Sequence, residues 1–141
     1  MDIYKEIEAI LNWYYVNSDK VDNPGLFLDK RDKLSVLSYR VAQEQADYNE
    51  QFLLTEMKRK VTVAKFIEDT MRQATKPAFN RVEIQALVAA EEILDEEKTN
   101  EALTKRCSLI LSQINKVLDA MNQRVSYLRK ERETSNNQNH V

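Results

Sequence analysis

The run MKRKVTVAKF, residues 57–66, sets Lys58, Arg59, Lys60 and Lys65 among Met57, Val61, Val63 and Phe66. Cations at such spacing on a helix can hold a phosphate backbone, each contact releasing condensed counterions. Lys58 and Lys65 stand one heptad apart, while Arg59 and Arg72 extend the row along neighbouring faces. The competing use is a solvated polar face, because Glu56, Glu68 and Asp69 dilute the charge. Tyr48 and Phe52 lie upstream and can stack on bases, although aromatic residues at helical spacing more commonly belong to a core.

Other charged clusters invite chemistry less strongly. DKRDKLSVLSYR carries Lys30, Arg31, Lys33 and Arg40, but its acids alternate with its bases, which favours i to i+4 pairing. EEILDEE, residues 91–97, holds the paired carboxylates Glu91-Glu92 and Glu96-Glu97. They would repel a nucleic acid, and they serve either as a dock for a basic partner, as a contact with a neighbouring subunit, or as a solvated face. A di-metal site is not expected, since the Glu-x-x-His ligands of helical di-metal bundles are missing.

Nucleophilic and zinc chemistry have no footing here. The one histidine, His140, lies near the C-terminus, and the one cysteine, Cys107, sits in an apolar helical pattern. Ser-His-Asp and Cys-His arrangements therefore lack a base, and no Cys/His spacing offers a zinc site. A single glycine excludes the glycine-rich phosphate loops. The expectation is a protein without catalysis, metal or cofactor.

The elements that must position these residues follow from composition. One glycine and two prolines in 141 residues leave few tight turns, so the chain is read as all-α with long elements. With a net charge of −2 no global field draws the molecule to DNA or lipid; binding must come from a local patch or from many copies of it. The acidic N-terminal segment and the lack of ~18 uninterrupted apolar residues predict a soluble, cytoplasmic protein with no membrane partner, in the host cytoplasm if phage-encoded.

The pattern predicts three to four helices in one domain over residues 1–132, followed by a disordered tail at 133–141. Ile3, Ile7, Ile10, Leu11 and Tyr14 line an N-terminal helix that Asp2 can cap, and NSDKVDNPG ends it, with Leu26, Phe27 and Leu28 tucking the loop onto the core (residues 1–28). A long central helix spans 29–75, with one stripe at Leu34, Leu37, Val41, Tyr48 and Phe52. A second stripe, Met57, Val61, Ala64, Ile67, Met71 and Ala74, is displaced in register, which predicts a bend near Leu53–Glu56. Pro77 and Asn80 mark the next start. Residues 81–132 form a helical hairpin or one long helix, with Ile84, Leu87, Val88, Ile93 and Leu94 inward and a possible turn at Thr99-Asn100. Leu103, Cys107, Ile110, Ile114, Val117, Met121 and Val125 approach a heptad seam; Leu103, Ile110, Ile114, Val117, Met121 and Val125 are the candidate homo-oligomer interface.

This layout resembles the UvsY-type recombination mediators of large phages. The similarity is densest in VEIQALVAAEEILDEEKTNEALTKRCSLILSQINKVLDAMNQRVSYLRKERE and spans about residues 30–132. The resemblance implies a ring-like homo-oligomer that binds single-stranded DNA and helps load a RecA-like recombinase onto strands covered by a single-strand-binding protein. The stretch matching that family's DNA-contact motif is KRKVTVAK, which brings Lys58, Lys60 and Lys65 into the candidate site, with Phe66 where a further basic residue is wanted. The rival reading is a non-enzymatic structural, scaffolding or adaptor protein of a phage or bacterium.

Overall fold

A computed structural model describes residues 2–73 and 78–139. It is all-α, with α1 at Ile3–Asn17, α2 at Pro24–Met71, α3 at Phe79–Ala89 and α4 at Glu91–Asn139. The chain divides into two compact units, Met1–Gln43 with Ser108–Val141, and Glu44–Cys107.

In the first unit, α1 begins where Asp2 accepts the Tyr4 backbone N–H at 3.0 Å, as a capping residue should. It ends where the Asn17 side chain donates to the Trp13 carbonyl at 2.9 Å. The next helix starts five residues earlier than expected, at Pro24. Proline at the first helical position costs no hydrogen bond, and the preceding Asn23 side chain accepts the Gly25 N–H at 2.9 Å. Asn-Pro is therefore a start signal here as well as a turn signal. Phe27 is consequently helical and fully buried, meeting the Trp13 ring edge-on at 5.5 Å.

The core of this unit joins Ile3, Ile7 and Ile10 of α1 to Leu34, Leu37 and Val41 of α2 and to the seam of α4. Ile114, Val117, Met121 and Val125 are between 0% and 4% exposed within the single chain. Four residues of the expected oligomer interface are thus part of a core within the chain. An aliphatic heptad seam serves an intrachain core as well as a subunit contact, and α1 and α2 already occupy it. Ile110, like Leu103 of the other unit, is half-buried. Ile114→Ala should lower unfolding stability by about 2–5 kcal/mol in urea titrations, the usual cost of a cavity at a fully buried aliphatic. Helix α4 also continues to Asn139 with residues 131–138 exposed, so the expected disordered tail is helical as far as it is described.

In the second unit α2 runs through residues 53–56 without a break. Thr55 is buried there, its hydroxyl satisfied by the carbonyls of Gln51 at 2.8 Å and Phe52 at 2.9 Å. The inward face continues the first stripe through Phe52, Thr55, Arg59, Thr62 and Phe66, at spacings of 3, 4, 3 and 4. The expected second stripe is thus mostly reversed: Met57, Val61 and Ala64 face solvent, while Ile67 and Met71 are half-buried. Ala74, together with Pro77, lies outside the described residues.

The next helix is shorter than expected and starts at Phe79 from Ala78, with no side-chain cap from Asn80. Its inward residues are Val82 and Ala86, followed by Ala90, four residues apart. Ile84, Leu87 and Val88, expected inside, are exposed. The small alanine stripe wins the packing because the aliphatic residues sit on the opposite side of the helix. Ala90 leaves helical geometry at φ −99°, ψ 12°, and α4 begins directly after it, so the break falls here and Thr99-Asn100 is helical.

Candidate functional site

The cations of MKRKVTVAKF divide between two faces of α2. Arg59 points inward and is 23% exposed, against 10% for its partner Glu97. The guanidinium grips that carboxylate through two nitrogens, Nε to Oε2 and a terminal nitrogen to Oε1 at 3.2 Å. The hydrogen bond to Glu97 holds Arg59 protonated more firmly than usual, against the opposing effect of its desolvation. Arg59 is therefore an internal clasp between α2 and α4, and it leaves the expected phosphate row.

Lys58, Lys60, Lys65 and Arg72 are exposed. Lys60 pairs with Glu56 at 2.8 Å, and Arg72 pairs with Glu68 one turn back. The Lys60 ammonium, first through its hydrogen bond and then through its charge, holds the Glu56 carboxyl below its usual range. The small stabilisation from that pair is present above the ordinary carboxylate range and is lost as pH falls through the lowered Glu56 pKa. Lys58 and Lys65 form no ion pair with any described residue. Lys58, Lys65 and Arg72 recur every seven residues; the two lysines stand about 10.5 Å apart along α2, and Arg72 directly follows the helix end at Met71, its backbone N–H donating to the Glu68 carbonyl at 3.2 Å.

The outward neighbours of this row are aliphatic. Leu54, Met57 and Val61 are 48–64% exposed, whereas Tyr48, Phe52 and Phe66 are half-buried on or near the inward seam. Aromatic stacking is therefore not what the outward face offers. In the first unit, Lys30 lies over the Trp13 ring at 5.4 Å. Lys33 pairs with Asp29 at 3.3 Å, and Arg31 with Asp32 at 3.0 Å and the Asn122 side chain at 3.2 Å. That second basic run is largely engaged within the chain, as its alternating charges implied.

Of the acidic block, Glu91, Glu92, Asp95 and Glu96 are exposed and Glu97 is buried. Reading the five acids as one solvated face missed Glu97. The signal was available: stepping back from Cys107 by 3, 4, 3 and 4 gives Thr104, Asn100, Glu97 and Ile93, the inward face of α4. Among the described residues no group of three or more His, Cys, Asp or Glu side chains could hold a metal ion, and Cys107 is buried. No helix among them is long and apolar enough to cross a membrane. Comparisons with protein-family models, with curated proteins and with solved structures give no match.

Proposed function

We propose that this protein is a non-enzymatic, multi-copy single-stranded-DNA-binding protein of the recombination-mediator kind. What carries the reading is the row Lys58, Lys65 and Arg72, exposed and at seven-residue spacing, the two lysines on the outward face of α2 and Arg72 in the turn directly after its last residue. Lys60 adds a fourth cation on the flank. Exposed i to i+4 ion pairs contribute only about 0.3–0.5 kcal/mol, so Lys60 and Arg72 can exchange a carboxylate for a phosphate at little cost. Repetition of a modest row around an assembly supplies the avidity that a net charge of −2 withholds from one copy. A strand held extended on such rows is a substrate on which a RecA-like recombinase can nucleate in competition with a single-strand-binding protein.

A labelled single-stranded oligonucleotide, titrated with the protein at low and physiological salt and followed by anisotropy, tests this. Four phosphate contacts per copy give a slope of log affinity against log salt of about −3, since each single-strand contact contributes about −0.7. The affinity should vary little with base sequence, because the row meets phosphates and lacks an aromatic platform. Absence of binding at low salt would sink the proposal. The second reading, a structural or adaptor protein that joins other proteins, is favoured by one observation: the aliphatic side chains beside the row, Leu54, Met57 and Val61, are exposed too.

A further inference from the structure

The two units are held shut by different chemistry. The first buries large apolar side chains, with Phe27, Leu34, Ile114 and Met121 among those fully enclosed. Among the described residues of the second, the buried apolar side chains are Val82, Ala86, Ala90 and Cys107, none larger than valine. Phe52, Phe66, Ile93 and Leu94 are half-buried there, and Leu53, Met57, Ile84 and Val88 face water. Stabilisation by burial follows the apolar area removed from water, so most of it lies in the first unit. What replaces aliphatic packing in the second unit ties its helices together weakly. Thr55 and Thr104 lie on the inward faces, but each hydroxyl donates to a carbonyl of its own helix, Gln51 at 2.8 Å and Asn100 at 2.8 Å, so neither bridges α2 and α4. Arg59 and Glu97 do bridge them. When that pair separates, both charges regain hydration, which offsets much of the attraction lost; an aliphatic core has no such compensation on exposure.

We infer that the second unit opens as one body while the first stays folded, and that the Arg59–Glu97 pair is the latch of that opening. In the open state α3 is released, and the stretches of α2 and α4 on either side of the latch, residues 52–66 and 93–104, part from each other. Little resists this at α3, whose buried side is Val82 and Ala86, with Ala90 directly after its end. Local openings in a folded chain span the range from almost no cost to the cost of complete unfolding, and the segments that move are those with few buried apolar contacts. The second unit meets that description and the first does not. The device is thus a charged latch on a lightly packed body, in a chain whose other body is closed by aliphatic packing.

The opening rests on packing and stands apart from any nucleic-acid activity, so it is tested with the full chain and no DNA. Native-state amide hydrogen exchange, under conditions where reclosing outpaces exchange, reads both units at once. After correction for intrinsic rates, amides of residues 52–66 and 93–104 should exchange on the order of 10²-fold faster than those of 34–41 and 114–125. Ile114→Val then sets the order of events. It weakens the first unit whether the second is closed or open, so it should speed exchange at 34–41 and 114–125 by about two- to tenfold and leave 52–66 and 93–104 unchanged. Glu97→Ala removes the latch and should speed exchange at 52–66 and 93–104 on the order of 10²-fold. A common exchange rate for both sets in the wild-type chain would overturn the inference, because it marks a single all-or-none opening. So would an Ile114→Val variant in which the second unit's amides exchange faster, or a Glu97→Ala variant in which they stay as protected as in the parent.

Discussion

Replacing Lys58 and Lys65 together with glutamate is expected to abolish binding of a single-stranded oligonucleotide at physiological salt. The two ammonium groups are exposed and form no ion pair with any described residue, so they are the cations freest to meet phosphate. A charge-assisted contact is worth about 1.5–3 kcal/mol, and losing two lowers affinity on the order of 10²-fold or more. Repulsion from the new carboxylates acts in the same direction. The substitutions remove no buried contact, so helical content and thermal midpoint should be those of the parent. Anisotropy titration beside circular dichroism reads both. Normal binding by this folded variant would show that the row is a solvated helix face, and would leave protein–protein assembly as the protein's work.

Arg59 in the same run should behave in the opposite way. Arg59→Ala or Glu97→Ala leaves a largely buried partner charge uncompensated. The expected loss of unfolding free energy is about 3 kcal/mol, the lower end of the usual range for breaking a buried pair, because the guanidinium keeps some contact with water. The paired replacement Arg59→Met/Glu97→Leu removes both charges and fills the volume with apolar groups, so it should recover most of the loss or exceed the parent. Urea denaturation of Arg59→Ala, Glu97→Ala and the double Arg59→Ala/Glu97→Ala completes a double-mutant cycle, and a coupling energy near zero would contradict the clasp. DNA affinity should be much less sensitive to Arg59→Ala than to the Lys58/Lys65 reversal. The two experiments thus assign neighbouring residues of one sequence run to different jobs.

The neighbours Lys58 and Arg59 show how far sequence pattern reaches. Each reads as a cation on a long helix, and helical geometry places Lys58 with Lys65 and Arg72 whatever the helix packs against. It cannot say which side of that helix meets water. Ordinarily the aliphatic stripe answers that question, and for α1 and for α4 beyond Cys107 it answers correctly, since Ile3, Ile7, Ile10, Ile114, Val117 and Met121 are all buried. In the second unit the same rule points outward. Met57, Val61, Ile84 and Val88 are exposed, and the inward seam carries Thr55, Arg59 and Glu97. The seam was recoverable by holding the heptad register of the neighbouring stretch, from Phe52 forward on α2 and from Cys107 backward on α4. Register continuity outranked hydrophobicity because a helix that is unbroken from Pro24 to Met71 cannot turn its face midway without a kink, and none of the residues 53–56 supplies one.

The sequence by itself determined the class of fold, the long elements, the cap at Asp2 and the aliphatic seam of α4, because glycine and proline scarcity and 3.6-residue periodicity are local properties of the chain. Tertiary structure decided which stripe is core, that the seam of α4 is covered by α1 and α2, that α3 ends at Ala89, and that Arg59 answers to Glu97. Those outcomes depend on which faces meet between residues 38 positions apart, and on whether the half-buried Arg59 and the buried Glu97 find each other. The register of each segment can place Arg59 and Glu97 on inward faces, but nothing local to either segment pairs them.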